Sequence, residues 1–139
     1  MKKLLFVTTV LFLSCAFSPQ KKTKIIFFCD SITELGVKEK PYRGYILELE
    51  DKSKAENKSD QYDFIGSGIS ANKVYDLYLR LEEDVLSKNP DVVFIYVGVN
   101  DVWHKTLLGT GTDADKFEKF YLAILKKLKD KNIKAVLVT

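Results

Sequence analysis

Residues 92–97, Val-Val-Phe-Ile-Tyr-Val, form the strongest strand signal in the sequence, because every residue is β-branched or aromatic. A second run, Lys-Ile-Ile-Phe-Phe-Cys at residues 24–29, is almost continuously apolar, which is typical of a strand buried on both faces of a parallel sheet. Residues 62–65 and 133–138 are two further predicted strands. The sequence therefore predicts a sheet with a largely apolar interior.

Three predicted helices alternate with these strands. The first begins at Pro41 and has apolar residues at helical spacing, the second is expected to be capped by Asn72 and to stop at Asn89-Pro90, and the third covers residues 117–128. We expect loops in the charged segment 51–59 and in the Gly/Thr-rich segment 106–112. Alternating strands and helices predict right-handed crossovers and a flavodoxin-like three-layer α/β/α fold with a parallel sheet.

Length and composition exclude several classes of protein. The 139 residues are 46% hydrophobic and 29% charged, which fits one globular domain and excludes a wholly disordered chain. Two cysteines are too few for the framework of a disulfide-stabilised miniprotein. The formal net charge of +3 includes Lys2 and Lys3 at the N-terminus, so the remainder is close to neutral and no nucleic-acid partner is expected.

The N-terminus has the pattern of an export signal. Two lysines precede an uncharged apolar run at residues 4–17, which is shorter than the ~20 residues of a membrane-spanning helix. Leu13-Ser14-Cys15 resembles a bacterial lipoprotein box, with Phe12 as a departure, whereas Ser14-Cys15-Ala16 fits ordinary signal cleavage. We expect a signal peptide at 1–16, a linker at 17–22 and the globular domain at 23–139. The protein would be periplasmic or at the cell surface, with membrane attachment if Cys15 is lipidated.

Small polar clusters follow three of the predicted strands, at Asp30-Ser31, Gly68 to Asn72 and Gly98 to Asp101. Ligands of parallel α/β sheets bind beyond the carboxyl ends of the strands. A hydroxyl flanked by backbone and amide N–H donors is what acyl transfer requires, namely a nucleophile and an oxyanion hole. The alternative is that Ser31, Asn72 and Asn100 only cap helices and form turns.

These clusters resemble three sequence blocks of the GDSL/SGNH hydrolases. Residues 28–33, Phe-Cys-Asp-Ser-Ile-Thr, are similar to the Gly-Asp-Ser-Ile-Thr block of the family. Residues 98–101, Gly-Val-Asn-Asp, match its Gly-x-Asn-Asp block, and residues 69–72, Ile-Ser-Ala-Asn, resemble the block between them. The order of the blocks also agrees, and the resemblance covers nearly all of residues 25–139.

The resemblance implies an SGNH-type α/β fold and hydrolysis of an ester bond without a cofactor. The site residues that it implies are Ser31 as nucleophile and backbone donor, Ala71 as backbone oxyanion donor, Asn100 as side-chain oxyanion donor, and Asp30 and Asp101 in support. The family includes carbohydrate deacetylases, lysophospholipases and simple esterases, so the substrate remains open between carbohydrate, lipid and simple esters. Export favours a polysaccharide or lipid ester outside the cytoplasm.

Two residues depart from the family blocks. Cys29 replaces a glycine before Asp30, and its side chain would strain the turn if its φ were positive. Ala71 replaces the glycine of the middle block; its N–H survives the change, so a cost is expected only at positive φ. Cys29 as a nucleophile is a weak alternative, because a buried thiol at a strand end is normally inert.

The third departure concerns the catalytic base, which the family takes from an Asp-x-x-His block after a later strand. The sequence has one histidine, His104, without that spacing. We expect Trp103 and His104 to lie on a loop at the rim of the substrate site. A domain incomplete at its C-terminus is therefore expected, with weak or no turnover.

These residues match other functional classes less well. One histidine and scattered acids predict no metal site. An aspartyl phosphatase is a poor match, because Ile32 stands where its second aspartate would be. The remaining alternative is an inert, secreted or lipid-anchored α/β binding module.

Overall fold

The computed structural model describes residues 21–40 and 43–139. The predicted signal at 1–16 and most of the predicted linker lie outside these residues and stay predictions. Pro41 and Tyr42 also lie outside them, but the helix expected to begin at Pro41 begins at Tyr45, because Gly44 before it has an extended backbone. In chain order the elements are β1 Thr23–Cys29, α1 Ser31–Gly36, α2 Tyr45–Ala55, β2 Tyr62–Gly68, α3 Val74–Asp84, a 3-10 turn Leu86–Lys88, β3 Val92–Tyr96, α4 Val99–Leu108, α5 Ala114–Asp130 and β4 Lys134–Leu137.

The strands form one parallel sheet in the order β2-β1-β3-β4. Strand β1 is therefore flanked by β2 and β3, and the last residue of β1, Cys29, pairs with Gly68 of β2 and with Tyr96 of β3. This register brings the three predicted polar clusters to the same edge of the sheet. The predicted parallel α/β fold is confirmed.

Helices pack on both faces of the sheet. On one face, α3 and α5 cover β1 and β3 and close the main core, whose fully buried members include Ile26, Phe28, Val93, Ile95, Leu77, Leu81, Ile124 and Leu128. Each such side chain contributes about 1.5–3 kcal/mol by leaving water. On the other face, the ring of Phe27 packs against the rings of Tyr45, Phe64 and Phe94.

Two helices were not predicted from the sequence. The short helix α1 begins at Ser31, directly after β1. Helix α4 replaces the expected loop after β3 and ends at Gly109, whose φ of 69° is typical of a helix C-cap. Val102, Trp103 and Leu107 of α4 are exposed, so the apolar periodicity that identifies a buried helix face is missing.

Helix α2 also differs from the prediction, because it continues to Ala55 through residues expected to form a charged loop. Arg43 forms an ion pair with Asp51, which pairs in turn with Lys54 at i+3. Charged side chains on an exposed helix face satisfy one another, so the charge run marks a solvated face and not a loop. Within the described residues, no helix has both the length and the apolar composition needed to span a membrane.

Candidate active site

Ser31 is the first residue of α1, at the carboxyl end of β1. The preceding Asp30 is buried and caps the helix: its Oδ1 accepts a hydrogen bond from the Ile32 N–H at 3.1 Å. The Asp30 carbonyl accepts from the N–H groups of Thr33 and Glu34. The half-buried Ser31 keeps an N–H that donates to no other described residue. The turn thus presents both a hydroxyl and an N–H from one residue.

The end of β2 and the loop that follows it pack tightly on α1. A Cβ added to Gly68 would lie 2.2 Å from the Glu34 nitrogen and 2.5 Å from the Asp30 carbonyl oxygen, so this close approach requires glycine. The Ser70 N–H donates to the Glu34 carboxylate at 2.6 Å. Hydrogen bonds from Ser70 hold the pKa of the Glu34 carboxyl below its usual value. Glu34 therefore ties the loop to the helix that carries Ser31.

Ala71 has a φ of 65°, in the left-handed region. The conformational strain that we expected for Ala71 at a positive φ is therefore present, and it costs roughly 1–2 kcal/mol for a residue with a Cβ. The Ile69 N–H donates to the Cys29 carbonyl and the Asn72 N–H to the Ile69 carbonyl, while the Ala71 N–H donates to no other described residue. The loop holds a strained residue whose N–H is available to a ligand.

Replacing Ala71 with glycine is expected to stabilise the domain by about 0.5–1 kcal/mol, because the gain from releasing strain exceeds the added entropy of the unfolded chain. Urea unfolding of the wild type and the variant measures this difference. Asn57→Gly is the matched control: Asn57 has a φ of 55°, but asparagine tolerates that region, so a smaller gain is expected. A loss of stability in Ala71→Gly would show that the loop tolerates the Cβ without strain.

Asn100 joins the three clusters. It lies in the first turn of α4, is 5% exposed, and donates from Nδ2 to the Asn72 carbonyl at 3.0 Å and to Asp30 Oδ2 at 3.4 Å. The bond to Asp30 is at the long limit for an N–H···O contact, so exchanging it for a better acceptor costs little. Asn100 therefore has one firmly held N–H and one that a ligand oxygen can compete for.

Asp101 is 1% exposed and contacts the first turn of α3. Both carboxylate oxygens accept from the Val74 N–H, at 3.2 and 3.3 Å. Burial raises the pKa of the Asp101 carboxyl, and the bond from Val74 opposes that shift. Asp101 thus satisfies a helix N-terminus, the task that we expected of Asn72.

The predicted rim residues lie on α4 and not on a loop, which corrects the expectation for them. Trp103 is 57% exposed and its ring centroid is 6.2 Å from that of His104. His104 is half-buried and follows Asn100 by four residues, which places the two on the same side of the helix. The imidazole of His104 forms no hydrogen bond with any residue in the described part of the chain.

Cys29 does not have a positive φ, so its side chain adds no strain of the kind that Ala71 carries. The thiol is 1% exposed, and burial raises its pKa. A buried thiol with a raised pKa is a poor nucleophile. Across residues 21–40 and 43–139, no group of three or more His, Cys, Asp or Glu side chains is arranged to bind a metal ion.

The structure corrects the predicted capping role of Asn72. Helix α3 has Lys73 as its N-cap, and the Lys73 N–H donates to the Asp76 carboxylate at 2.8 Å. The Asn72 Oδ1 instead accepts from Arg80 Nε at 2.8 Å. Arg80 was not selected from the sequence, because an arginine in an amphipathic helix is normally solvated and nothing local indicates where its side chain turns.

The family model for GDSL-like lipases and acylhydrolases matches residues 27–139. The chain belongs to this family. The three family blocks of this GDSL-like domain lie at the ends of β1, β2 and β3, so the positions of the motifs agree with the parallel sheet. The solved structure of the acetyl xylan esterase AlAXEase resembles it with a TM-score of 0.78 and 61% identity, over 82% of this chain and 56% of that chain.

An acetylxylan esterase of Geobacillus stearothermophilus is 32% identical to the GDSL-like domain in an alignment of 114 positions, and the alignment covers 76% of this chain and 52% of the relative. The chain thus spans about half the length of this curated relative. A solved catalytic mutant of an acetylxylan esterase from the same organism has a TM-score of 0.73 and 29% identity, over 83% of this chain and 58% of that one. Solved catalytic mutants of that enzyme replace an aspartate, a serine or a histidine with alanine.

Proposed function

We propose that this domain is a serine esterase that removes acetyl groups from a carbohydrate, with Ser31 as the nucleophile. The observation that carries the proposal is the position of Asn100, whose Nδ2 lies 3.0 Å from the Asn72 carbonyl and 3.4 Å from Asp30. Those contacts place an amide donor between the residue that precedes Ser31 and the residue that follows Ala71. The acetylxylan esterases among the relatives support an acetyl ester as substrate.

In the proposed reaction, Ser31 Oγ attacks the carbonyl carbon of the ester and its proton passes to a base. The carbonyl oxygen becomes an oxyanion that accepts from the N–H groups of Ser31 and Ala71 and from Asn100 Nδ2. Collapse of the tetrahedral intermediate breaks the bond to the sugar oxygen, which takes up the proton, and leaves acetyl-Ser31. Water then attacks the acetyl-enzyme, releasing acetate and restoring Ser31.

The general base of this reaction has no clear counterpart among the 139 residues. The resemblance assigns it to a histidine of an Asp-x-x-His block, and the single histidine of the sequence is His104. General base catalysis typically contributes 10²–10⁴-fold to the rate. We therefore expect the 139-residue chain to be acetylated at Ser31 by activated esters and to turn over natural esters slowly.

We also propose which residue contacts the substrate at the rim of the site and where the protein is located. Trp103, with 57% of its surface exposed on the helix that carries Asn100, offers an aromatic face to a sugar ring. The apolar N-terminal run and Cys15 favour export and lipid anchoring, which would place the domain where polysaccharide esters are found. We expect no nucleic-acid partner.

A comparison of esters that differ in their acyl group is the most direct test of the proposed substrate class. We expect the purified chain to release p-nitrophenol from p-nitrophenyl acetate at least about tenfold faster than from p-nitrophenyl octanoate, and to release acetate from acetylated xylo-oligosaccharides. Ser31→Ala measures the serine-independent background for each ester. A preference for the octanoate ester would favour a lipid substrate. A rate equal to the Ser31→Ala background on every ester would favour the inert binding module.

A further inference from the structure

Arg80 is a half-buried arginine that the proposed reaction does not use. It lies in the second half of α3, and its side chain is 14% exposed. The guanidinium lies over the ring of Phe28, with the central carbon 4.5 Å from the ring centroid. A cation over an aromatic face is attracted by the ring, which favours this position of the guanidinium.

All five N–H groups of Arg80 have acceptors. Nε donates to Asn72 Oδ1 at 2.8 Å, and Nη2 donates to the carbonyls of Cys29 and Ser67 at 2.7 and 3.0 Å. Nη1 donates to Ser67 Oγ at 3.0 Å and to the carboxylate of Asp84. One rigid group therefore connects the end of β1, the end of β2 and the loop that leads into α3.

These acceptors are adjacent to the proposed catalytic groups. Cys29 is two residues before Ser31, and its carbonyl is held by both Arg80 and the Ile69 N–H. Asn72 follows Ala71, and its carbonyl accepts from Asn100 Nδ2 at 3.0 Å. A displacement of the guanidinium would thus be transmitted to all three proposed oxyanion donors.

We propose that Arg80 is a positioning residue that holds the nucleophile turn and the two loops of the oxyanion hole in one geometry. This inference rests on the proposed function, because it takes Ser31, Ala71 and Asn100 as the acting groups. Ala71 gives it a physical reason: a residue held at a φ of 65° needs neighbours that fix the loop. The Nε bond to Asn72 is such a restraint, next to the strained residue.

Arg80→Lys is the sharpest test. A lysine keeps the charge, but its point-like ammonium cannot serve acceptors on three segments at once. In reaction with p-nitrophenyl acetate, we expect the limiting rate of Ser31 acetylation to fall about tenfold to a hundredfold with the half-saturating ester concentration unchanged. The amide signals of Ser31 and Ala71 and the Asn100 side-chain NH₂ signals should shift in ¹H–¹⁵N spectra of the folded variant.

Lys24→Met is the matched control. Lys24 Nζ also links two elements through a carbonyl, that of Lys88 at 2.7 Å, but it does so at the amino end of the sheet. We expect this variant to lose stability without changing the acetylation rate or the site signals. If Arg80→Lys behaves in the same way, with lower stability and unchanged rate and signals, Arg80 is structural only and the inference is overturned.

Asn72→Ala tests the inference if Arg80→Lys does not fold. It removes one of the five acceptors and keeps the Asn72 carbonyl for Asn100. We expect the signals of Ala71 and Asn100 to shift, and unchanged signals would contradict the inference. Absence of Ser31 acetylation in the wild type would count against the proposed function, whereas the amide signals would still report whether Arg80 holds the loops.

Discussion

Replacing Ser31 with alanine is expected to abolish acetylation at position 31 and to lower ester turnover to the protein background, a loss of roughly 10²–10³-fold with an activated acetate ester. The variant keeps the residue-31 N–H, the Ala71 N–H and Asn100, so its remaining rate measures the oxyanion donors without a nucleophile. Peptide mass spectrometry after reaction with p-nitrophenyl acetate locates the acetyl group, and p-nitrophenol release gives the rate.

Two variants serve as controls for this result. Ser87→Ala removes an exposed hydroxyl from the 3-10 turn before β3, at the opposite end of the sheet from Ser31, so it should react like the wild type. His104→Ala should also leave the rate within about twofold, because one histidine without an aspartate partner is not the family's base. Loss of turnover in His104→Ala would make His104 the base, and undiminished turnover in Ser31→Ala would exclude Ser31 as nucleophile.

Replacing Gly68 with alanine is expected to have the largest effect on the site after loss of the nucleophile. The new Cβ would lie 2.2 Å from the Glu34 nitrogen and 2.5 Å from the Asp30 carbonyl oxygen, so backbone must move by roughly 1 Å. We expect a loss of about 3 kcal/mol in the free energy of unfolding and about a hundredfold in the Ser31 acetylation rate. Urea unfolding and acetylation kinetics measure the two effects.

Gly109→Ala separates steric displacement from the ordinary cost of replacing a glycine. Gly109 has a φ of 69°, and a Cβ there would meet nothing within 4 Å. We expect a loss of about 1 kcal/mol from the unfavourable φ and an unchanged acetylation rate. If Gly68→Ala behaved like Gly109→Ala, the contact between the β2 loop and α1 would not control the position of Ser31.

The predictable part of the fold is the part encoded by local pattern. Apolar runs at 24–29 and 92–97 identified β1 and β3, the two central strands of the sheet, and apolar spacing identified α3 and α5. Helix α4 was not predicted, because the apolar residues Val102, Trp103 and Leu107 lie on its exposed face. An amphipathic pattern requires polar residues on that face.

The candidate site divides in the same way. The block order placed Ser31, Ala71 and Asn100 at strand ends, and the parallel register brings those ends to one edge of the sheet. Whether Ala71 carried a cost depended on the sign of its φ, which a loop sequence does not determine. Asn72 is suited by composition to cap α3, but the nearby Arg80 uses its side chain instead.

Hydrophobic periodicity and motif spacing are properties of neighbouring residues, so they were enough to assign the parallel α/β class and the family blocks in their order. The contacts of Arg80 with Cys29, 51 positions earlier, and of Asp101 with Val74, 27 positions earlier, arise only in the packed fold. Contacts of this range form only when strands and helices have packed, since burial makes an unpaired guanidinium or N–H costly and selects the arrangement that satisfies both.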